Sequence, residues 1–467
     1  MKSISVSIKT IRLSMRMDGS YHNADINVYD DILQGHSSHC LDFYCSNIYT
    51  TGRGRRVYTR PNHGVPFLSN SDMTTQDPLM SCNYMSRKYG YDEPSLLKEG
   101  MILTGRVGAI GQTAFVPKYW EKYKMMGSDN IIRIVVKDEF KNGFIYAYLA
   151  SKYGNLSFWK HATGGVQPFI TDKMVAKLPI PDMSITFQEE VDDLIQESAR
   201  LREEAVNMVE QAKKLLKEKA NLEDLVPEDY DYYGHRAADR KVSCFSINRK
   251  DITTTTINAF NLSERIRKTK KKIQSHYVCL GEVIENGRTF SSTSSSSVEV
   301  SPNKGVMFVN QKDIFDNIIK GKWVSKRGFN SANCIQLGEV LVACDGTLGE
   351  SEFFCHALYA GEELSGKLIS SHFMRMRGNG TIPMGYLFAW LDTDYGFRFI
   401  RNTQAGTKLC HPIQKLFVEI PVPLIDSDSM QEIDRMVRDA HTKRYQANCN
   451  ERQAISMIEQ EIESWTK

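Results

Sequence analysis

The chain contains ten cysteines, and no two of them form a C-x-x-C pair. Such scattered thiols read as reduced and mostly buried, as expected of a cytoplasmic protein. No run of about 18 apolar residues is present, so no membrane span is expected. The opening residues Lys2 to Ser7 lack an apolar stretch, so no signal peptide is read. The phosphate-cradling G-x-x-x-x-G-K-[ST] loop is absent, as are H-E-x-x-H and G-x-S-x-G. Gly52-Arg53-Gly54-Arg55-Arg56 lacks the third glycine of a dinucleotide fingerprint. The acids Asp182, Glu228 and Asp229 have no lysine partner that would suggest a nuclease, and read as linker and helix-boundary residues. His36, His39, Cys40 and Cys45 fall within ten residues, but their spacing matches no common zinc pattern. No catalytic residue, metal ligand or cofactor is therefore assigned to this chain.

What is present is a folded composition: 467 residues, 41% hydrophobic and 25% charged. That length suggests two or three domains. Self-comparison shows that it is one plan written twice. Gly64–Met73 resembles Gly305–Ile314, at an offset of 241. Gly100–Leu103 with Gly108–Gly111 resembles Gly338–Leu341 with Gly346–Gly349, at 238. Gly143–Leu149 resembles Gly385–Leu391, and Leu178–Pro181 resembles Ile420–Pro423, both at 242. Thr186–Glu189 resembles Ser429–Glu432, at 243. The order is kept throughout and the offset hardly drifts.

Each copy begins with a mixed region of short β-type runs and glycine turns, and ends in a helix. In the first helix Phe187, Val191, Leu194, Leu201, Met208 and Leu215 follow a 4-3 spacing with Ser198, Ala205 and Ala212, the seam of a coiled coil. In the second the seam passes through Met430, Ile433, Val437 and Ala440. It weakens at Arg444 and resumes in shifted phase at Ile455, Ile458, Ile462 and Trp465. Capping boxes are read at Thr186–Glu189 and Ser429–Glu432. The expected division is a first mixed domain over 1–182, a helix over 183–226, a linker over 227–242, a second mixed domain over 243–426 and a C-terminal helix over 427–467.

The net charge of +3 divides along the same lines. Residues 1–182 carry +6, 183–242 carry −6, 243–426 carry +5 and 427–467 carry −2. Basic mixed regions attract a phosphate backbone and acidic helices repel one, so the two functions read as separate. Local basic clusters fall at Arg53–Arg60, Arg265–Lys272 and Lys320–Arg327. The serine run Ser291–Ser297 reads as a loop tip.

Several motifs resemble those of the DNA-specificity (S) subunits of type I restriction–modification enzymes. Glu99–Gly111 and Leu337–Gly349 are similar to that family's G-D-x-L…G-x-[IL]-G segment. Ala162-Thr163-Gly164-Gly165-Val166-Gln167-Pro168-Phe169-Ile170 is similar to its glycine-Gln-Pro-x-Ile stretch, and Arg16–Tyr21 to the opening of a recognition domain. The second copy departs at Gly406–Pro412, which lacks the Gln-Pro pair. The resemblance implies an α+β protein with two tandem target-recognition domains separated by two long antiparallel coiled-coil helices, in a pseudo-two-fold internal repeat. Each domain would read one half of a bipartite site in double-stranded DNA, and the helices would dock two methyltransferase subunits. Those partners would carry S-adenosylmethionine and flip the target adenine; a restriction/translocase subunit can join. The chain itself would be non-catalytic. Candidate DNA contacts, on polar loops beside the motif segments, are Arg53, Arg55, Arg56, Arg106, Lys160, Lys268, Lys326, Arg327, Arg401 and Lys408. The alternatives are a two-headed DNA-binding adaptor of another phage-defence or DNA-modification complex, and a nuclease with an unrecognised carboxylate site.

Overall fold

The computed structural model describes residues 5–465, except positions 18, 20, 23–28, 30–31, 34, 165, 231–234, 237–242, 253–254, 293–297, 328–329, 348–352 and 407–408. The chain divides into two compact units. One comprises Met1–Glu203 with Gln446–Lys467, and the other comprises Glu204–Tyr445.

In the first unit the glycine-led run Gly64–Leu68 is a wholly buried strand. It pairs antiparallel with Asn83–Ser86 and parallel with Met126–Gly127. A second sheet has the order Cys45–Tyr49, Ile131–Val136, Ile102–Gly105, Thr113–Phe115. Its central strands are rich in branched apolar residues, which suit a sheet covered on both faces; Ile102, Ile131, Ile132 and Ile134 are fully buried. Two helices follow, Asn142–Ala150 and Lys152–His161.

The second unit repeats that order. Gly305–Val309 pairs antiparallel with Lys322–Ser325 and parallel with Leu368–Ile369. Val340–Ala343 lies between Ala357–Tyr359 and Phe373–Met376. The helices Met384–Leu391 and Asp394–Asn402 come next. Mixed helix and sheet in each unit make this an α+β fold.

The repetition extends to single atoms. In the first unit the Gly143 N–H, at the start of its helix, donates to Asp192 Oδ1 at 2.7 Å. In the second the Gly385 N–H donates to Asp434 Oδ1 at 2.8 Å. Both aspartates sit on the long helices, and both satisfy an otherwise unpaired helix N-terminus. Glycine is required there by space: a Cβ on either residue would stand 2.6 Å from the carboxylate oxygen.

The long helices span Ile185–Lys219 and Ser427–Ser464. Their caps lie earlier than the sequence suggested. Ser184 Oγ accepts from the Phe187 N–H at 3.3 Å, and Asp426 Oδ1 accepts from the Ser429 N–H at 2.8 Å. Thr186 and Ser429 therefore lie inside the helices instead of capping them.

The buried stripe is also wider than a coiled-coil seam. Val191, Ser198, Leu201, Ala205 and Ala212 are buried, but so are Ile195, Val209 and Leu216; Phe187, Leu194, Met208 and Leu215 are only half-buried. In the first unit Val191 and Ile195 share a core with Phe144, Ala454, Ile458 and Ile462. In the second Ala205, Val209, Ala212 and Leu216 share one with Ile433, Val437, Ala440 and Trp390. A helix packed against both a domain and another helix needs a broad apolar face, not a two-column seam.

The phase shift expected in the second helix comes later than the sequence suggested: Ala447, Glu451, Ala454 and Ile458 keep the phase of Ile433, Val437 and Ala440, and only Ile462, buried with Trp465 packed on the same core, departs from it. Ala454 is fully buried and Ile455 only half-buried, as is Met430. Glu451 occupies the seam one turn before Ala454, only 6% exposed, accepting from Tyr146 Oη at 2.7 Å and paired with Arg202. Counting apolar letters alone therefore found most of the stripe but missed its breadth and the polar residues within it.

Candidate nucleic-acid interface

The loop after the strand Cys45–Tyr49 carries the first basic cluster. It is fastened to the edge strand Asn83–Ser86 by two backbone bonds, Ser86 N–H to Val57 O and Thr59 N–H to Tyr84 O, each 2.8 Å. Arg53 and Arg55 are exposed. Arg56 is engaged internally: its guanidinium pairs with Asp129 and lies 5.6 Å from the Phe67 ring. The bond to Asp129 holds Arg56 above its ordinary pKa.

These residues line a cleft of about 430 Å³ with Tyr89, Tyr91, Asp92 and Asp129. Tyr89 is 63% exposed and Tyr91 43%. Exposed arginines beside exposed aromatic rings are the equipment of a nucleic-acid surface, the cations for phosphates or guanine edges and the rings for stacking or sugar contact. The tyrosines are the part that sequence reading missed. They lie more than thirty residues beyond Arg53, and only the strand pairing brings them together.

The other candidates divide sharply. Arg106 follows the strand Ile102–Gly105 and is half-buried, with its N–H on Asn130 O at 2.8 Å and its carbonyl accepting from the Ile170 N–H at 2.9 Å. Lys268 is exposed on the helix Glu264–Lys271, as are Lys270 and Lys271. Lys326 and Arg327 are exposed just after the strand Lys322–Ser325. Lys408 lies outside the described residues.

Lys160 and Arg401 differ from the expectation of loop positions. Both lie in the last turn of a helix, Lys152–His161 and Asp394–Asn402, and both are only 7% exposed. They lie one residue apart in the register of the repeat, Lys160 matching Asn402 and Arg401 matching Trp159, and each packs against an aromatic ring: Lys160 lies 5.2 Å from Tyr21, and Arg401 5.4 Å from Phe397. A long basic side chain can bury its stem and keep its head near a helix C-terminus, where the dipole favours a cation. Their packing places them in the scaffold of each unit.

Two more arginines are buried completely. Arg133 donates to the carbonyls of Gly127, Ser128, Ile131 and Ser95, tying two loops to the sheet. Burial pushes its guanidinium down to about 10. Arg375, its counterpart, donates to Asn333 O and Cys334 O, each at 2.7 Å, and to both oxygens of Glu339. Met101 stands where the second copy has Glu339.

Among the described residues no group of three or more His, Cys, Asp or Glu side chains is arranged to hold a metal ion. His36 stacks on Trp465 and His39 on Phe43, with centroids 4.4 and 3.7 Å apart. Burial pushes the Cys45 thiol up to about 12. None of the ten cysteines is in a disulfide. No helix among the described residues is long and apolar enough to cross a membrane.

No protein-family model matches the chain, and no curated protein does either. Solved structures similar to it include the type-I restriction–modification system S subunit from M. genitalium, at 13% identity over 92% of each chain, with a TM-score of 0.32. Another is the HsdS subunit from Thermoanaerobacter tengcongensis, at 13% identity over 90% of this chain and 94% of that one, with a TM-score of 0.27. A third is the type IIG restriction endonuclease BpuSI, at 9% identity over 40% of this chain and 29% of that one, with a TM-score of 0.29.

Proposed function

We propose that this chain is the DNA-specificity subunit of a type I restriction–modification complex. Residues 1–182 and 243–426 are its two target-recognition domains, each reading half of a bipartite duplex site. The long helices run antiparallel as a coiled-coil spacer, and a linker over 227–242 connects the first of them to the second recognition domain. They fix the gap between half-sites and dock two methyltransferase subunits. A restriction/translocase subunit completes the complexes that cut DNA. The chain contributes no catalytic group; its partners supply S-adenosylmethionine and the methyl transfer.

The observation that carries this reading is the duplication, which holds from motif order down to the paired Gly143–Asp192 and Gly385–Asp434 bonds. A fold made twice presents one kind of surface twice, as a two-part site requires. The charge division supports the same assignment: +6 and +5 on the mixed regions, −6 and −2 on the segments that hold the helices. The Arg53–Arg55 cleft with Tyr89 and Tyr91 is the candidate groove contact of the first domain, and Lys268, Lys326 and Arg327 are exposed cations of the second.

Co-expression with a type I methyltransferase subunit from the same genome tests the reading. The expected result is a stable complex with two methyltransferase chains per copy of this one, which modifies adenine in duplex DNA only when this chain is present. A methyltransferase that is fully active and sequence-specific without it would refute the assignment, as would metal-dependent cleavage by this chain alone.

A further inference from the structure

Asp345 follows the strand Val340–Ala343 in the second unit. Its carboxylate accepts from two imidazoles at once: His372 Nδ1, and His411 Nδ1 at 2.5 Å. Both rings are open to solvent, with side chains 54% and 56% exposed, while the Asp345 side chain is 18% exposed. The three residues come from separate segments that the backbone locks together. The Cys344 N–H donates to His372 O at 2.9 Å, Gly346 and Cys410 exchange two backbone bonds, and Gln311 Nε2 holds Asp345 O at 2.8 Å. The imidazoles are thus presented by a rigid frame, not by a loose surface.

We propose that His372 and His411, braced on Asp345, form a binding site for the phosphodiester backbone of DNA that grips more tightly as the pH falls. The inference rests on the DNA-reading role proposed above.

Two arguments carry it. The first is position. The Cys344–His372 backbone bond is the counterpart of the Arg106–Asn130 bond in the first unit. The cluster therefore occupies the place where the first unit has Arg106 with Val107, Asn130 and Phe169. A fixed cation in one copy is replaced by titrating groups in the other.

The second is charge. With each Nδ1 engaged by the carboxylate, Nε2 is the ring nitrogen left over. It is an acceptor on the neutral ring and a charged donor on the imidazolium. Burial pushes the Asp345 carboxyl up, but the bonds from His372 and His411 outweigh this and hold it below the ordinary range. The cluster therefore passes from one net negative charge with both rings neutral to one net positive charge with both protonated. It repels a phosphate at the first limit and attracts one at the second. Ionisable groups beside these segments include the thiols of Cys344, Cys355 and Cys410, and Arg401, which acts on Cys355. Burial pushes Cys344 up to about 12, so its thiol stays neutral across the range concerned.

The test is duplex binding by the full chain, read by fluorescence anisotropy at matched ionic strength. The chain is expected to bind about tenfold more tightly near pH 6 than near pH 8. The doubly substituted His372→Gln, His411→Gln chain should lose most of that gain. Its salt dependence near pH 6 should become shallower by about one to two phosphate contacts. Asp345→Asn should act in the opposite direction near pH 8, binding more tightly than the parent because a negative charge is gone; damage to the fold would weaken it instead. A double variant with the parent's pH dependence, or an Asp345→Asn chain that keeps the parent's thermal midpoint and yet binds more weakly, would overturn the site. Duplex binding that is strong but indifferent to pH and to all three substitutions would overturn the site and leave the DNA-reading role standing. Failure of the parent chain to bind duplex at either pH would overturn both.

Discussion

Glycine at positions 143 and 385 is held by the carboxylate that crowds it. The Asp192 and Asp434 oxygens occupy the space a Cβ needs, so Gly385→Ala must push a long helix away from its domain. The expected cost is about 1–3 kcal/mol, typical of overpacking in a well-filled site, read as a lower midpoint in urea unfolding. Gly143→Ala should do the same to the first unit.

The buried arginines give a contrast within one fold position. Removing Arg375 leaves the buried Glu339 with Arg377 as its remaining cation, whereas removing Arg133 leaves only carbonyls. Arg375→Met is expected to cost about 3–5 kcal/mol and Arg133→Met about 1–3 kcal/mol. Thermal unfolding of the two variants, with equal destabilisation as the contrary result, checks this.

At this scale the sequence was informative about residue types and poor on roles. Arg53 and Arg55 could be read as exposed cations because glycines surround them. Lys160 and Arg401 could not be read as buried, because their covering rings come from elsewhere: Tyr21 is far away in sequence, and Phe397 lies one helical turn back. The His372–Asp345–His411 cluster was invisible for the same reason, since its members are joined only by strand and turn pairing.

Among the elements, the long helices were the most legible and their details the least. Their existence follows from a long stretch without glycine or proline and a regular apolar period. Their caps were displaced because Ser184 and Asp426, the true caps, precede letters that make an equally good capping box. Their buried face was only partly read because Glu451 and Arg202, a paired charge, fill places that apolar counting leaves empty.

His441 on the second helix is another polar residue in an apolar place, packed against Tyr359 and Phe388 with its Nε2 buried. Burial pushes its imidazole well below the usual value, and the nearby Arg444 adds to this. Unfolded, it takes up a proton near pH 6.5; folded, it resists until much lower pH. The unfolded chain therefore binds more protons below about pH 6.5, and stability is lost as the pH falls there, at up to about 1.4 kcal/mol per unit, while staying flat above. Urea midpoints measured near pH 7.5 and near pH 5.5 should differ more for the parent than for His441→Leu. Equal slopes would show that the ring titrates normally.

For the whole molecule, a net charge near zero conceals two basic regions and two acidic ones, and the length conceals one plan written twice. The duplication was fully legible because glycine turns, strand order and helix starts are set by backbone geometry, which tolerates little change. The target of the proposed DNA reading was not, because surfaces of that kind vary in side chains that no backbone rule constrains.

The central claim is that two readers are held at a fixed separation by helices of fixed length. It is tested most directly by mapping methylated adenines in DNA modified by the complex after one helical turn, about four residues, is inserted within residues 187–219. The account predicts the same two half-sites with a longer gap between them. An unchanged gap, or an altered half-site, would contradict it.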